Sequence, residues 1–166
     1  MPMFNVNAHR IDPYKNFRFQ VVWDGQVVAA LSKMSAVKRT TEAIEWRAAG
    51  DSGIVRKMPG RTKIEPVTLE RGLTHDKQFL NWANQVNNPD GNAANSLLNY
   101  RKTVRVIVHN MQGTPVMAVN LLRAWVSEFQ ALPEFDSNAN AVAIETVKLE
   151  CEGIVIDDSV TEPAET

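Results

Sequence analysis

One cysteine, Cys151, stands in a chain of 166 residues. It cannot close an intrachain disulfide, and no paired-cysteine spacing for a metal exists. That usage fits a reducing compartment. Neither sign of charge dominates: Lys plus Arg total 18, Asp plus Glu total 19, and the net charge is -1. A general pull toward nucleic acid or acidic membranes is therefore missing, and only local patches remain to be considered. No window approaches the run of about 18 apolar residues that a membrane helix needs. The opening MPMFNVNAHRIDPYKN has no basic stretch followed by an apolar one, so a secretory signal is not expected. The expectation is synthesis and folding in the cytoplasm, with any exit as part of a larger assembly or by lysis. Phosphate loops, dinucleotide fingerprints, HExxH and nucleophile elbows are missing too.

What is present is strand periodicity. Hydrophobic residues make up 44% and charged residues 22%, an ordinary globular balance that suits one domain. A chain this long can bury roughly 70% of its unfolded surface, enough for a real core. In FRFQVVW, Phe17, Phe19, Val21 and Trp23 share one face and Arg18, Gln20 and Asp24 the other, and Asp24-Gly25 supplies a tight turn into QVVAALSKM. TEAIEWRAA alternates likewise. GDSGIVRKMPG, residues 50–60, has no period and reads as a loop. RTKIEPVTLE returns to strand, with Pro66 at an edge or a bulge. THDKQFLNWANQV is the one good helix, with Phe79, Trp82, Ala83 and Val86 on one stripe. YRKTVRVIVHN and PVMAVNLLRAWVSEF join through NMQGT, and VAIETVKLECEGIVI closes the domain. The sum is a mainly antiparallel β domain over residues 1–156, with about seven strands and one flanking helix. A closed or nearly closed barrel and a two-sheet sandwich both satisfy this pattern. Residues 157–166 are acidic and polar and read as a flexible tail.

The chemistry-bearing residues do not assemble into a site. His9, His75 and His109 are far apart, and none has a second ligand at helical or strand spacing. His75 falls at a helix start, which permits an anion contact, although a solvent-facing position explains it more simply. Cys151 alternates with Val147 and Leu149 and reads as a small buried residue. Glu42, Glu45, Glu65 and Glu70 suit the wet faces of strands better than a glycosidase pair. Arg101, Lys102 and Arg105 beside Tyr100 would bind phosphate or stack on a base. A solvated strand face, or salt bridges to a neighbouring subunit, accounts for them at less cost. Trp23, Trp46, Trp82 and Trp125 suit core or interface packing. Gly72 is assigned to a chain reversal, Thr74 to the helix N-cap and Asp76 to the first turn. No catalytic, cofactor-binding or metal-binding residue is assigned.

The blocks DPYKNFRFQV, LSKMSAV, EAIEWRAAGD, RKMPGRTK, TLERGLTHDKQFLNWA and AIETVKLECEGI occur in this order. Together they resemble the tail-tube proteins of contractile phage tails and of phage-derived contractile injection systems. The resemblance runs from about residue 12 to residue 153. Its most specific piece is PGRTKIEPVTLERGLTHDKQFLNW. Ala36 stands where many relatives have glycine, and Pro66 interrupts a strand that is often proline-free. The resemblance implies a non-enzymatic subunit with one flanking helix. Six copies would form a ring, and rings would stack into a hollow inner tube. Implied partners are other copies of the chain, a contractile sheath, a baseplate with a spike, and protein or DNA cargo in the lumen. No cofactor and no direct membrane insertion are implied. The place of action would be a virion, a released particle or a membrane-anchored machine. The hexameric tube protein of type VI secretion is an alternative, as is a ligand-binding β-barrel module unrelated to tails.

Stacking needs contacts along the tube axis. Asp51, Ile54, Val55, Arg56, Lys57 and Met58 are the candidate ring-to-ring contacts, because they mix an apolar centre with a charged rim. A mobile surface loop is the alternative for the same stretch.

Overall fold

The computed structural model describes residues 4–50 and 53–166. In chain order the strands are β1 (Phe19–Trp23), β2 (Gln26–Val27), β3 (Leu31–Met34), β4 (Arg39–Trp46), β5 (Arg56–Ile64) and β6 (Val67–Gly72). Helix α1 (Gln78–Val86) follows, then β7 (Lys102–His109), β8 (Pro115–Gln130), β9 (Ile144–Glu150) and β10 (Gly153–Ile156). All pairings are antiparallel.

The main sheet runs β2-β1-β7-β8-β9-β6-β3, with β10 also on β8. Its two end strands are neighbours in sequence, since only residues 28–30 separate β2 from β3. A flat sheet of that order would hold its edges about 29 Å apart, at about 4.8 Å per strand step. The four residue steps from Val27 to Leu31 reach at most about 14 Å. The sheet must therefore curl until its edges approach, and Ala30 turns the chain there with φ 56°. The edges do not pair, so of the expected shapes the closed barrel is not formed.

The expected turns form. Asp24 and Gly25 both have positive φ, 53° and 72°, as a two-residue hairpin of the primed type requires. Asn110–Thr114 reverses the chain between β7 and β8, with Gly113 at φ 84°. β8 is 16 residues long. One edge carries β7, and the other carries β9 and β10 in tandem. Where β9 breaks into β10, Arg123 of β8 takes φ 53° and the Glu152 N–H donates to Leu122 O at 3.0 Å.

The inner face of the curl is the core. Val21, Trp23, Val67, Leu69, Val104, Leu121, Val147 and Leu149 are buried together. α1 closes one opening by laying Phe79 and Trp82 against Trp23, with ring centroids 5.9 and 4.7 Å away. The Trp82 indole N–H, which burial would otherwise strand, donates to Tyr100 O at 2.7 Å.

Two expectations need correction. The loop assigned to residues 50–60 is partly strand, because β5 starts at Arg56 and pairs with β4 from Trp46 to Arg39. Pro59 and Gly60 concealed it. Pro59 has no N–H to give a ladder, yet an exposed two-stranded ribbon tolerates it opposite Ala43. Gly60 is needed for space, since a Cβ there would lie 3.0 Å from the Ile44 side chain. The acidic segment 157–166, read as a free tail, lies against the N-terminal segment through hydrogen bonds from Asn5, Val6 and Asn7 to Glu162.

Candidate functional site: a projecting hairpin and the corner behind it

β3 and β6 continue outward as β4 and β5, so residues 31–46 and 56–72 form one long antiparallel ribbon. The ribbon bends where Pro66 interrupts it, and the Glu65 N–H donates to Lys38 O across the bend. Beyond the bend no residue of β4 or β5 is buried. The register places Ile44 opposite Met58 and Trp46 opposite Arg56 on one face. Arg56 lies over the Trp46 ring at 5.8 Å. The other face carries Glu45 opposite Lys57, 3.9 Å apart. The ribbon is thus amphipathic without a core of its own to cover its apolar side. Ile44, Trp46, Val55 and Met58 are each more than two-fifths exposed, and Ile54 is 75% exposed. A two-stranded hairpin alone in water is marginal, and an uncovered apolar face marks an interaction surface.

Of the six candidate contact residues, Arg56, Lys57 and Met58 sit on β5, while Ile54 and Val55 precede it. Asp51 lies outside the described residues. Ile44 and Trp46 were missed as members of this surface. Their alternation was visible, but the partner strand that places Met58 beside Ile44 was hidden by Pro59 and Gly60.

At the root of the ribbon β6 turns into α1. The helix starts at Gln78, one turn later than Thr74 predicts, and Lys77 occupies the N-cap position. Thr74 Oγ1 instead accepts the Asp76 N–H at 3.2 Å, and Asp76 Oδ1 accepts the Gln78 N–H at 3.0 Å. Two short side-chain turns thus replace a single cap. Gly72 ends β6 opposite Ile144 and has no positive φ, so the reversal falls after it. The residue that organises the corner is Arg71, which sequence reading left unassigned. Its side chain is 1% exposed and its Nε donates to Glu145 on β9. Its Nη2 donates to Asp76 O at 2.7 Å, and its Nη1 lies 3.4 Å from the Asp76 carboxylate. The guanidinium also lies 4.1 Å from the Phe79 ring centroid. One cation thereby ties β6, β9 and the start of α1 together. Charged residues crowd this corner because it is a joint.

The basic cluster is paired within the subunit. Arg105 meets Asp157 at 2.9 Å, Lys102 meets Asp24, and Arg101 lies 3.8 Å from Glu152. Arg101 also stacks on Tyr100. Burial and then the Glu150 carboxylate push the Cys151 thiol up, away from thiolate chemistry. Among the described residues no three His, Cys, Asp or Glu side chains converge to hold a metal. No helix among them is long and apolar enough to cross a membrane.

A curled sheet with a cored interior thus carries an amphipathic ribbon whose apolar face is exposed, the form of a subunit that meets others. Residues 15–155 match the family described as T4-like virus tail tube protein gp19, and the chain belongs to that tail-tube family. Its role is that of a structural tube protein. Solved structures share the fold. A chain in the anti-feeding prophage baseplate, 6-fold symmetrised, is 18% identical with a TM-score of 0.73, over 89% of this chain and 97% of that one. A chain in the sheath-tube complex of the extracellular contractile injection system PVC, in its extended state, is 22% identical with a TM-score of 0.71, over 87% and 91%. Hcp1 from Flavobacterium johnsoniae is 15% identical with a TM-score of 0.56, over 90% and 100%. No curated protein matches the chain.

Proposed function

We propose that six copies of this chain form a ring, that rings stack into a hollow tube, and that the β4–β5 ribbon docks each ring onto the next. The observation that carries this reading is the ribbon, whose apolar face has no cover among the described residues. The opposite face, with Glu45 paired to Lys57, suits the solvent side of a docked ribbon. The outer edges of β2 and β3, unpaired among the described residues, offer backbone groups to neighbours, and ring closure turns that aggregation hazard into assembly. The tube is made in the cytoplasm, sits on a baseplate inside a contractile sheath, and delivers protein or DNA cargo when the sheath contracts. A sheath-tube complex and a baseplate among the similar structures support this setting. The hexameric tube of type VI secretion remains the second reading.

Negative-stain electron microscopy across a concentration series tests the reading. The expected result is sixfold rings and tubes of uniform width. Trp46→Glu with Met58→Glu should leave rings and abolish stacking, because both positions are exposed in the subunit. Full-length tubes from that variant would remove the ribbon from the ring-to-ring contact.

A further inference from the structure

The chain ends in a peptide that it recognises itself. The Glu162 carboxylate accepts three backbone N–H groups, from Asn5 at 2.8 Å, Val6 at 3.0 Å and Asn7 at 3.0 Å. Successive N–H groups aimed at one point make an anion nest. Asn7, only 4% exposed, reads the tail three more times. Its Nδ2 donates to Glu162 Oε1 at 2.9 Å and to Pro163 O at 2.8 Å, and its Oδ1 accepts the Glu165 N–H at 2.9 Å. Arg10 takes the Glu165 carboxylate, and His9 lies 3.5 Å from it. The Arg10 guanidinium packs against both Phe4 and Tyr14, 5.0 and 4.6 Å from their ring centroids, and these two rings meet edge to face. Two carboxylates three residues apart, with the backbone between them, are thus read by residues 5–10.

The covalent link raises the local concentration of the tail at residues 5–10 but makes few contacts of its own there. After Ile156 the Asp157 N–H extends the ladder by one bond to Ala118 O, and its carboxylate meets Arg105. The Ser159 side chain and the Val160 N–H then bond only back to Asp157. Every contact that holds the tail at residues 5–10 is therefore open to the same peptide from another molecule. Exchange of an identical segment is a low-cost route to assembly, because it needs no new contact.

We propose that residues 5–10 are a binding site for a Glu-x-x-Glu peptide, and that its occupant at subunit boundaries is the tail of a second copy of this chain. The proposal of exchange between copies rests on the tube reading, whereas the site itself does not. The test uses full-length Glu162→Gln/Glu165→Gln chain, whose own tail is disarmed, and a labelled synthetic peptide of residues 157–166. Fluorescence anisotropy should show saturable binding, at least tenfold tighter than to the wild-type chain, whose tail competes. A peptide carrying Glu162→Gln should bind at least tenfold more weakly. Failure of the native peptide to bind the disarmed chain overturns the site. For exchange, the disarmed chain is mixed with a full-length Asn7→Ala/Arg10→Ala chain, whose tail is intact and whose site is not. Amide-exchange protection at Val6 and Asn7 of the disarmed chain should return in the mixture. Peptide binding without that return overturns exchange between copies. If tubes never form while the peptide binds, the tube reading fails and the site stands.

Discussion

Replacing Arg71 with methionine keeps the bulk of the side chain and removes its charge. Glu145, 7% exposed, would then be buried beside an apolar chain, and Asp76 O would lose its donor. Breaking a buried ion pair from one side costs about 3–5 kcal/mol, because the surviving charge is left without compensation. The contact with Asp76 adds little, since that carboxylate is 37% exposed and screened. Arg71→Met should therefore lose about 3–5 kcal/mol, a large part of the about 5–15 kcal/mol that a domain has. Glu145→Leu alone should cost a similar amount, with the guanidinium as the stranded charge. The double variant Arg71→Met/Glu145→Leu strands neither, and replacing a buried pair by apolar groups is often close to neutral. What it still loses is the hydrogen bond to Asp76 O, worth about 1.5–3 kcal/mol as a charge-assisted bond. The assay is urea unfolding of dilute, unassembled chain, with the midpoint and slope fitted for each variant. The double variant should be more stable than either single one. Costs that simply add, or an Arg71→Met cost below about 1 kcal/mol, would refute the idea that this pair holds the corner.

Phe79→Ala should cost about 3–5 kcal/mol in the same assay, because the ring is fully buried against Trp23 and Arg71. The terminal contacts should depend on pH in a known direction. Desolvation raises the Glu162 carboxyl, but the donations from Val6, Asn7 and Asn5 outweigh it and hold it below the usual carboxylate range. A lowered folded value means that its contribution is present above the ordinary range and is lost as pH falls through the lowered one. Arg10, His9 and Glu165 share the site. Backbone amide NMR shifts of Asn5, Val6 and Asn7 should hold steady through the ordinary range and move only below it. Movement at or above the ordinary range would count against the nest.

Strand identity was legible wherever apolar residues recur at every second position, as in Val104, Val106 and Val108 of β7 or Val147 and Leu149 of β9. Asp24-Gly25 announced its turn because few other pairs accept positive φ twice. The long-range features were not legible. Nothing local tells that β8 serves three neighbours, or that β2 and β3 end up at opposite edges of one sheet. Arg71 looked like one more charge on an alternating strand, since its partner Glu145 is 74 residues away. The same distance problem hid the tail, whose glutamates meet a nest more than 150 residues upstream. Composition alone made that tail look free. At the helix start, Thr74 and Asp76 were the right residue types one turn early, because Arg71 holds the chain in turns before it can wind.

β8 has a mechanical consequence for any device that is driven through a barrier. A hairpin peeled from its tip gives way one hydrogen bond at a time, like a zip. A strand bonded to neighbours along its whole length meets a force on its ends with many bonds at once, in shear. β8 is bonded in that way, by β7 along residues 115–124 on one side and by β10 and then β9 along residues 119–122 and 125–130 on the other. An axial load along it is shared across the whole sheet and does not concentrate at one weak rung. The subunit therefore carries a stiff spar through its middle and keeps its compliant part, the β4–β5 ribbon, at the periphery.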